Sequence, residues 1–475
     1  MRIDTGHKSG ARLHVAAVCV ADSLTKYLYQ SLRFVLSVRT LPSRHQLTPI
    51  VGYFDGAADY FLDLLQRLGA VLIKLERYSR VHGPSNKMTI LRAPELSGFD
   101  TIVMSDCDVI FVEEFDDLLA WQGFQGKIAD LKTLPDTILS AVFRLACRPM
   151  PHARFTTTID EQPSILYCNA GLLIFSKQLL DPFVAQWFRW NDLLLRHQAV
   201  MENRAFFTDQ ASLCLAAEEF AHEFRELNVE MNYPAHLKPE EYPAAVLATK
   251  PKVIHYHDAV DYRSGLLDLT RLESLQAPIA GFNERFRERE ELISGAAFWD
   301  YLICTMPNGA DEKDVFRDYR AGLVNQVIDH AKPQSVVDLG CGHSPLVSGT
   351  MVPSYFGIDY STEAVMAATR KDQLGTYERA NAIDCAIGAA DLVLMVDLLH
   401  YFPKIDDVWA AVKNVAQASP KMLLISGLDQ PLDEWIRPHA FFHMSVEQIL
   451  PHFGKYNFDK IGCKAGQAFY LGRRR

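Results

Sequence analysis

The chain has 475 residues, too many for one ordinary hydrophobic core, so two or three domains are expected. Apolar residues make up 49% and charged residues 22%, the balance of a globular protein. A formal net charge of −10 excludes nucleic acid as a general partner, because phosphate binding needs a net basic face.

The first residues contain no apolar stretch suited to a signal peptide, and no run of about 18 apolar residues occurs anywhere. The nine cysteines are dispersed, without a Cys-x-x-Cys pair, as expected of reduced thiols. A cytoplasmic protein with no transmembrane helix is therefore expected. Strand-like runs at Leu13–Ala21, Leu47–Phe54, Ala70–Leu75, Asp100–Met104, Val109–Val112 and Ile165–Phe175 alternate with helical patterns at Lys26–Val38, Tyr60–Leu68 and Asn86–Leu96. Lys252–His257 reads as one more short strand. The charged stretch Phe282–Leu292 predicts a solvated helix and a domain boundary near residue 290. Ala296–His330 then forms a helical lead-in to a second alternation, with strands Ser335–Leu339, Tyr355–Ile358, Ala390–Val396 and Met422–Ser426. The pattern predicts two α/β domains, 1–290 and 291–475, each on a parallel sheet.

In the first half, Thr101–Val112 reads TIVMSDCDVIFV. Asp106 and Asp108 stand at i and i+2, a spacing that puts both on one side of an extended strand and lets them converge on one cation. Their hard oxygens suit Mg²⁺ or Mn²⁺, which would neutralise a diphosphate leaving group. Around this motif lie the capped helical pattern of Ser85-Asn86-Lys87, the small-residue turn Tyr167-Cys168-Asn169-Ala170-Gly171, Asp209-Gln210, and Val253-Ile254-His255-Tyr256-His257. In this order, over about the first 260 residues, they resemble the metal-dependent retaining glycosyltransferases of the glycogenin and lipopolysaccharide galactosyltransferase type, which have the GT-A fold.

That resemblance implies a nucleotide-diphosphate-sugar donor and a glycan or glycoconjugate acceptor. Asp106, Asp108 and His255 become the metal ligands, and an imidazole among them favours Mn²⁺ over Mg²⁺. Lys87 approaches the donor; Asn169, Ala170, Gly171, Asp209 and Gln210 hold its sugar; Val20, Ala21, Asp22 and Tyr27 line the base. Asp209, with Asn169, becomes the candidate catalytic group beside the anomeric carbon. His255 is preferred to His257 on the Val-Ile-His match. The family's Gly-containing loop and Lys-Pro-Trp are replaced by Asp258-Ala-Val-Asp-Tyr-Arg263, with Arg263 a substitute cation.

In the second half, a β-branched run ends Asp338-Leu-Gly340-Cys-Gly342, and the next strand ends in Asp359, 19 residues after Gly340. The glycines let the backbone turn tightly against a ligand, and the acid has the spacing that meets a ribose diol. Pro345 stands where a dinucleotide fingerprint has its third glycine, and Asp338 suits a ligand ammonium group. The text from Val336 onward resembles class I S-adenosylmethionine-dependent methyltransferases, with a Rossmann-like fold. By that resemblance Asp338, Gly340, Gly342 and Asp359 bind S-adenosylmethionine, and Asn381-Ala382 meets the adenine. His400, with Asp397 nearby, is a candidate base, and His439 and His443 lie in a segment suited to cover the acceptor. Two alternatives stay open: a non-catalytic S-adenosylmethionine-binding regulator, and an NAD-dependent oxidoreductase domain.

Overall fold

A computed structural model describes residues 12–261, 266–268, 272–305, 315–347, 352–429, 444–464 and 466–475. The chain forms two compact units, Met1–Val260 with Leu267–Phe286, and Asp261–Leu266 with Arg287–Arg475. No helix among the described residues is long and apolar enough to cross a membrane.

In chain order the first unit contains β1 (His14–Ala21), α1 (Thr25–Thr40), β2 (Gln46–Tyr53), α2 (Asp59–Arg67), β3 (Val71–Lys74), β4 (Thr101–Ser105), β5 (Val109–Phe111) and β6 (Phe124–Ile128). It continues with α3 (Asp136–Leu145), β7 (Cys168–Ser176), α4 (Lys177–Arg196), α5 (Thr208–Glu219), β8 (Phe224–Glu226), β9 (Tyr233–Pro234), β10 (Val253–His255) and α6 (Glu273–Arg287). The main sheet runs β8-β6-β7-β4-β1-β2-β3, and a small one runs β9-β10-β5. Strands β4, β1, β2 and β3 are parallel, and β7 lies antiparallel between β4 and β6. Every residue of α1 from Leu28 to Val38 is buried, including Arg33. A helix covered all round must sit between layers.

Three expectations change. Asn86–Leu96 is not an α-helix but two 3₁₀ segments, Gly83–Arg92 and Pro94–Gly98. Pro94 has no N–H to continue a helical ladder, so the backbone breaks ahead of it. The charged stretch Phe282–Leu292 is neither one helix nor wholly solvated. α6 ends at Arg287, and Phe282 and Phe286 are buried, the latter edge-on to Tyr29. Asp106 and Asp108 lie in the turn between β4 and β5 rather than within a strand.

The second unit contains α7 (Glu290–Ser294), α8 (Ala296–Thr305), α9 (Val315–Ala331), β11 (Ser335–Leu339), β12 (Ser354–Asp359), α10 (Thr362–Lys371), β13 (Thr376–Arg379), β14 (Leu392–Met395), α11 (Ile405–Ala418), β15 (Met422–Leu428), β16 (Tyr456–Lys464) and β17 (Gln467–Arg474). Its sheet runs β13-β12-β11-β14-β15-β17-β16; the first five strands are parallel and β17 is antiparallel to both neighbours. Alternate residues serve opposite faces, as the pleat requires. Val337, Leu339, Val393 and Met395 pack against Val408, Val412 and Val415 of α11. Val336, Leu392 and Leu394 pack against Val324, Val327 and Ile328 of α9. Chain order reverses between β11 and β14, the place where open α/β sheets form a ligand crevice at the strands' carboxyl ends.

Candidate functional sites

The first site gathers where β4, β6, β7 and β10 end or begin. Asp106 follows β4, and its backbone N–H donates to Gly171 O at 3.0 Å. Its side chain takes a hydrogen bond from Lys87 Nζ (3.0 Å), which also donates to Ala170 O (3.3 Å) and lies 3.4 Å from Asp209 Oδ2. Burial works against the Lys87 charge, but Asp106 and Asp209 outweigh it and raise its pKa. Lys87 thus holds two carboxylates from distant segments on one cation.

Asp108 meets two histidines. Its Oδ1 is 3.2 Å from His255 Nε2 and its Oδ2 is 3.7 Å from His257 Nδ1. β10 pairs antiparallel with β5, His255 opposite Val109, and Tyr256 N–H donates to Asp108 O, so the backbone fixes this meeting. Asp106 Oδ2 is 4.0 Å from His255 Nε2. Burial would raise Asp108, but the two histidines hold it low; burial would lower His255, but Asp108 raises it. The ligand atoms of Asp108, His255 and His257 lie within 4.8 Å of one another. One carboxylate and two imidazoles, with a second carboxylate alongside, fit a divalent cation that accepts oxygen and nitrogen donors.

Gly171 is required by this packing, because a Cβ there would lie 2.8 Å from His255 Cε1. Asn169 Oδ1 accepts from Gly171 N–H (2.8 Å), and Asn169 Nδ2 donates to Asp130 Oδ2 (3.0 Å). Asp130 also takes Thr158 Oγ1 (2.7 Å) and pairs with the fully buried Lys127. Gln210 Oε1 accepts from Tyr167 Oη at 3.0 Å. Asp209 is 2% exposed in the first turn of α5, where it faces Lys87 instead of capping the helix. At the end of β1, Asp22 is held by both Arg77 amino groups (2.9 and 2.6 Å), Ala21 is fully buried, and Tyr27 is 36% exposed. Asp22 is therefore committed to Arg77, Val20 packs against the hydrophobic core, and Tyr27 has Lys26 over its ring. Arg263 lies outside the described residues.

Asp130, His236 and Gln30 belong to this neighbourhood without any motif of their own. Only an acid just beyond an apolar strand, Lys127-Ile128-Ala129-Asp130, signalled the first.

The second site lies at the carboxyl ends of β11, β12 and β14. Gly340 and Gly342 have φ of 75° and 64°, the left-handed region that glycine adopts freely. Gly340 and Cys341 N–H both donate to Ile358 O, which folds the loop over β12. Asp359 accepts from Gly342 N–H and Ser361 N–H, one on each oxygen, both at 2.9 Å. A carboxylate has about four acceptor positions, so lone pairs remain for a ligand diol. Among the described residues, nothing lies within 4 Å of a Cβ position at Gly342. Asp338 is buried and accepts from Tyr355 Oη at 2.8 Å; burial pushes its pKa up to about 7, against that hydrogen bond and with help from Asp359.

Asn381 Oδ1 accepts from Ile383 N–H, and Ala382 is buried with its carbonyl bonded to Asn414 Nδ2. Both therefore sit in a turn fixed by the backbone. At the end of β14, Asp397 binds Arg320, Gln467 Nε2 (3.0 Å) and His400 Nε2 (3.1 Å), and has φ of 60°. His400 is only 2% exposed. His439 and His443 lie outside the described residues.

Residues 337–422 match the family model of a methyltransferase domain. The second unit thus carries a methyltransferase domain, built on a mixed α/β, Rossmann-like fold. Among solved structures, magnesium protoporphyrin IX methyltransferase from Synechocystis PCC 6803, with bound SAM, is 15% identical over 33% of this chain and 79% of its own, with a TM-score of 0.28. The N-methyltransferase NodS from Bradyrhizobium japonicum WM9, in complex with S-adenosyl-l-homocysteine, is 11% identical over 36% and 93%, with a TM-score of 0.31. Among curated proteins, none matches the chain.

Proposed function

We propose that the chain is a transferase with two activities: S-adenosylmethionine-dependent methyl transfer in the second unit and metal-dependent sugar transfer from a nucleotide-diphosphate sugar in the first. The methyl-transfer reading rests on one observation above all. A glycine loop with two left-handed residues is tied to Asp359 in a domain that matches methyltransferases. Bound there, S-adenosylmethionine supplies an electrophilic methyl group. Asp359 takes the ribose hydroxyls, Asp338 faces the ammonium group, and the turn at Asn381 and Ala382 borders the adenine. Calorimetry separates this from an NAD site: S-adenosylmethionine binds and NAD does not, and the reverse order of affinities sinks the reading.

Asp338 adds a pH signature. Its raised pKa means that its contribution to stability is fully present below its ordinary value of 3.8 and is lost as pH rises through about 7. Asp338→Asn removes the ionisation. Its stability relative to the parent protein should therefore grow by on the order of 4 kcal/mol between pH 4 and pH 8. Urea melts of the transition that S-adenosylmethionine shifts measure this, and parallel curves would refute it. A ligand ammonium favours the ionised carboxyl, so affinity for S-adenosylmethionine rises as pH passes through 7.

For a hydroxyl acceptor, His400 is the candidate base, oriented by Asp397. His400 would take the proton of the acceptor hydroxyl as its oxygen receives the methyl group that the cofactor would supply. His400→Asn should lower kcat by about 10²-fold with S-adenosylmethionine affinity unchanged. A variant with full turnover would return the site to a regulator or to an acceptor that needs no base.

The sugar-transfer reading rests on Lys87, Asp106 and Asp209 meeting beside the Asp108–His255 pair, in a unit whose motif order resembles retaining GT-A glycosyltransferases. Asp108 and His255, with Asp106, would hold Mn²⁺ or Mg²⁺. When bound, the metal neutralises the departing diphosphate. Lys87 would bring a fixed positive charge to the donor while holding Asp209, the candidate catalytic carboxylate, at 3.4 Å; Asn169 orients the sugar with Asp130, and Tyr27 borders the base. The acceptor is a glycan or glycoconjugate, and its sugar product is the hydroxyl substrate proposed for the second unit. Hydrolysis of nucleotide sugars by purified protein with Mn²⁺ tests this; no binding and no hydrolysis for any donor would end it.

A further inference from the structure

We propose that His257 is a further protein ligand of the metal in the first unit, a second imidazole beside Asp108, His255 and Asp106. The proposal rests on the metal-site reading above and sharpens it. The sequence match that favours His255 leaves His257 without a role, yet the structure turns both rings onto opposite oxygens of one carboxylate. The two rings are parallel, with centroids 3.9 Å apart, and His236 stands edge-on to His257 at 4.0 Å.

The backbone at His257 shows that this placement is imposed. Its φ is 51°, a conformation that costs a side chain with a Cβ on the order of 1 kcal/mol or more and that glycine or asparagine adopts more readily. The strained residue is held by Gln30 of α1, whose Nε2 donates to His257 O at 3.2 Å. Gln30 Oε1 accepts from Cys107 Sγ at 3.5 Å, and Cys107 is the residue between the two aspartates. One buried amide, 1% exposed, therefore ties the histidine segment to the Asp-x-Asp turn. Asp106 meanwhile gives one oxygen to Lys87. The donor set left around Asp108 is richer in nitrogen than a hard cation prefers. Mg²⁺ demands near-octahedral oxygen ligands and keeps its waters, whereas nitrogen donors are taken by the first-row divalent ions, of which Mn²⁺ is the weakest binder.

The test is a titration of the full chain, stripped with chelator, using MnCl₂ or MgCl₂ without nucleotide. The variants are His257→Asn, which tolerates the left-handed backbone, and Asp108→Asn. The parent protein is expected to bind Mn²⁺ at least about tenfold more tightly than Mg²⁺. His257→Asn should weaken Mn²⁺ by about tenfold or more with little change for Mg²⁺, and melting without metal should be unaltered. Pulsed electron paramagnetic resonance of bound Mn²⁺ should show two coupled imidazole nitrogens, falling to one in His257→Asn. If His257→Asn binds Mn²⁺ like the parent while Asp108→Asn does not, the proposal is overturned and the sugar-transfer reading stands. If the parent binds no Mn²⁺, both fall together.

Discussion

Asp359→Ala is expected to weaken S-adenosylmethionine binding by at least about 100-fold, with little effect on any ligand of the first unit. Gly342 N–H and Ser361 N–H each donate to one oxygen of this carboxylate, so it shapes the turn that a cofactor must approach. Hydrogen bonds to a charged group are worth about 1.5–3 kcal/mol each, so losing two ribose contacts alone accounts for 10²-fold or more. Asp359→Asn keeps one acceptor for the loop and isolates the ligand contribution. If calorimetry finds Asp359→Ala within a few-fold of the parent protein, the ribose assignment is wrong.

Lys87→Met should abolish sugar transfer and destabilise the first unit by about 3 kcal/mol. Removing the ammonium leaves Asp106 and the 2%-exposed Asp209 facing each other without their shared cation. An uncompensated buried charge is costly, and most of the loss would come from Asp209. The double variant Lys87→Met, Asp209→Asn should regain much of that stability without recovering transfer. Thermal melting and donor hydrolysis measured together separate the two effects. Unchanged melting in Lys87→Met would show that the lysine does not hold these carboxylates in solution.

The sheet strands were legible because their apolar runs are long and end in turns. His14–Ala21, Gln46–Tyr53 and Ser335–Leu339 fall within a residue or so of the expected spans. The Gly340–Gly342 loop was legible because a left-handed backbone leaves a glycine in the text. What the text hides is contact between distant segments. Asp106 and Asp108 read as neighbours on one strand face, yet they lie in a turn where Lys87 holds Asp106, two histidines meet Asp108, and His255 stands within 4.0 Å of both. His257 joins them through the antiparallel pairing of β5 with β10, and Asp130 joins Asn169 through β6 beside β7. Neither pairing leaves a local pattern. Phe282 and Phe286 show the converse error, since a charged stretch concealed an apolar face that the first unit buries.

In the proposed reading, each of the two units holds its own ligand site. The most direct measurement is thermal unfolding of the full chain with S-adenosylmethionine, or with Mn²⁺ and a panel of nucleotide-diphosphate sugars, for the parent protein, Asp108→Ala and Asp359→Ala. A ligand at 100 times its dissociation constant stabilises the unit that binds it by about 2.7 kcal/mol, a shift that melting resolves. Asp108→Ala is expected to lose only the nucleotide-sugar shift and Asp359→Ala only the S-adenosylmethionine shift. A parent protein that responds to neither ligand, or variants that lose both shifts together, would contradict it.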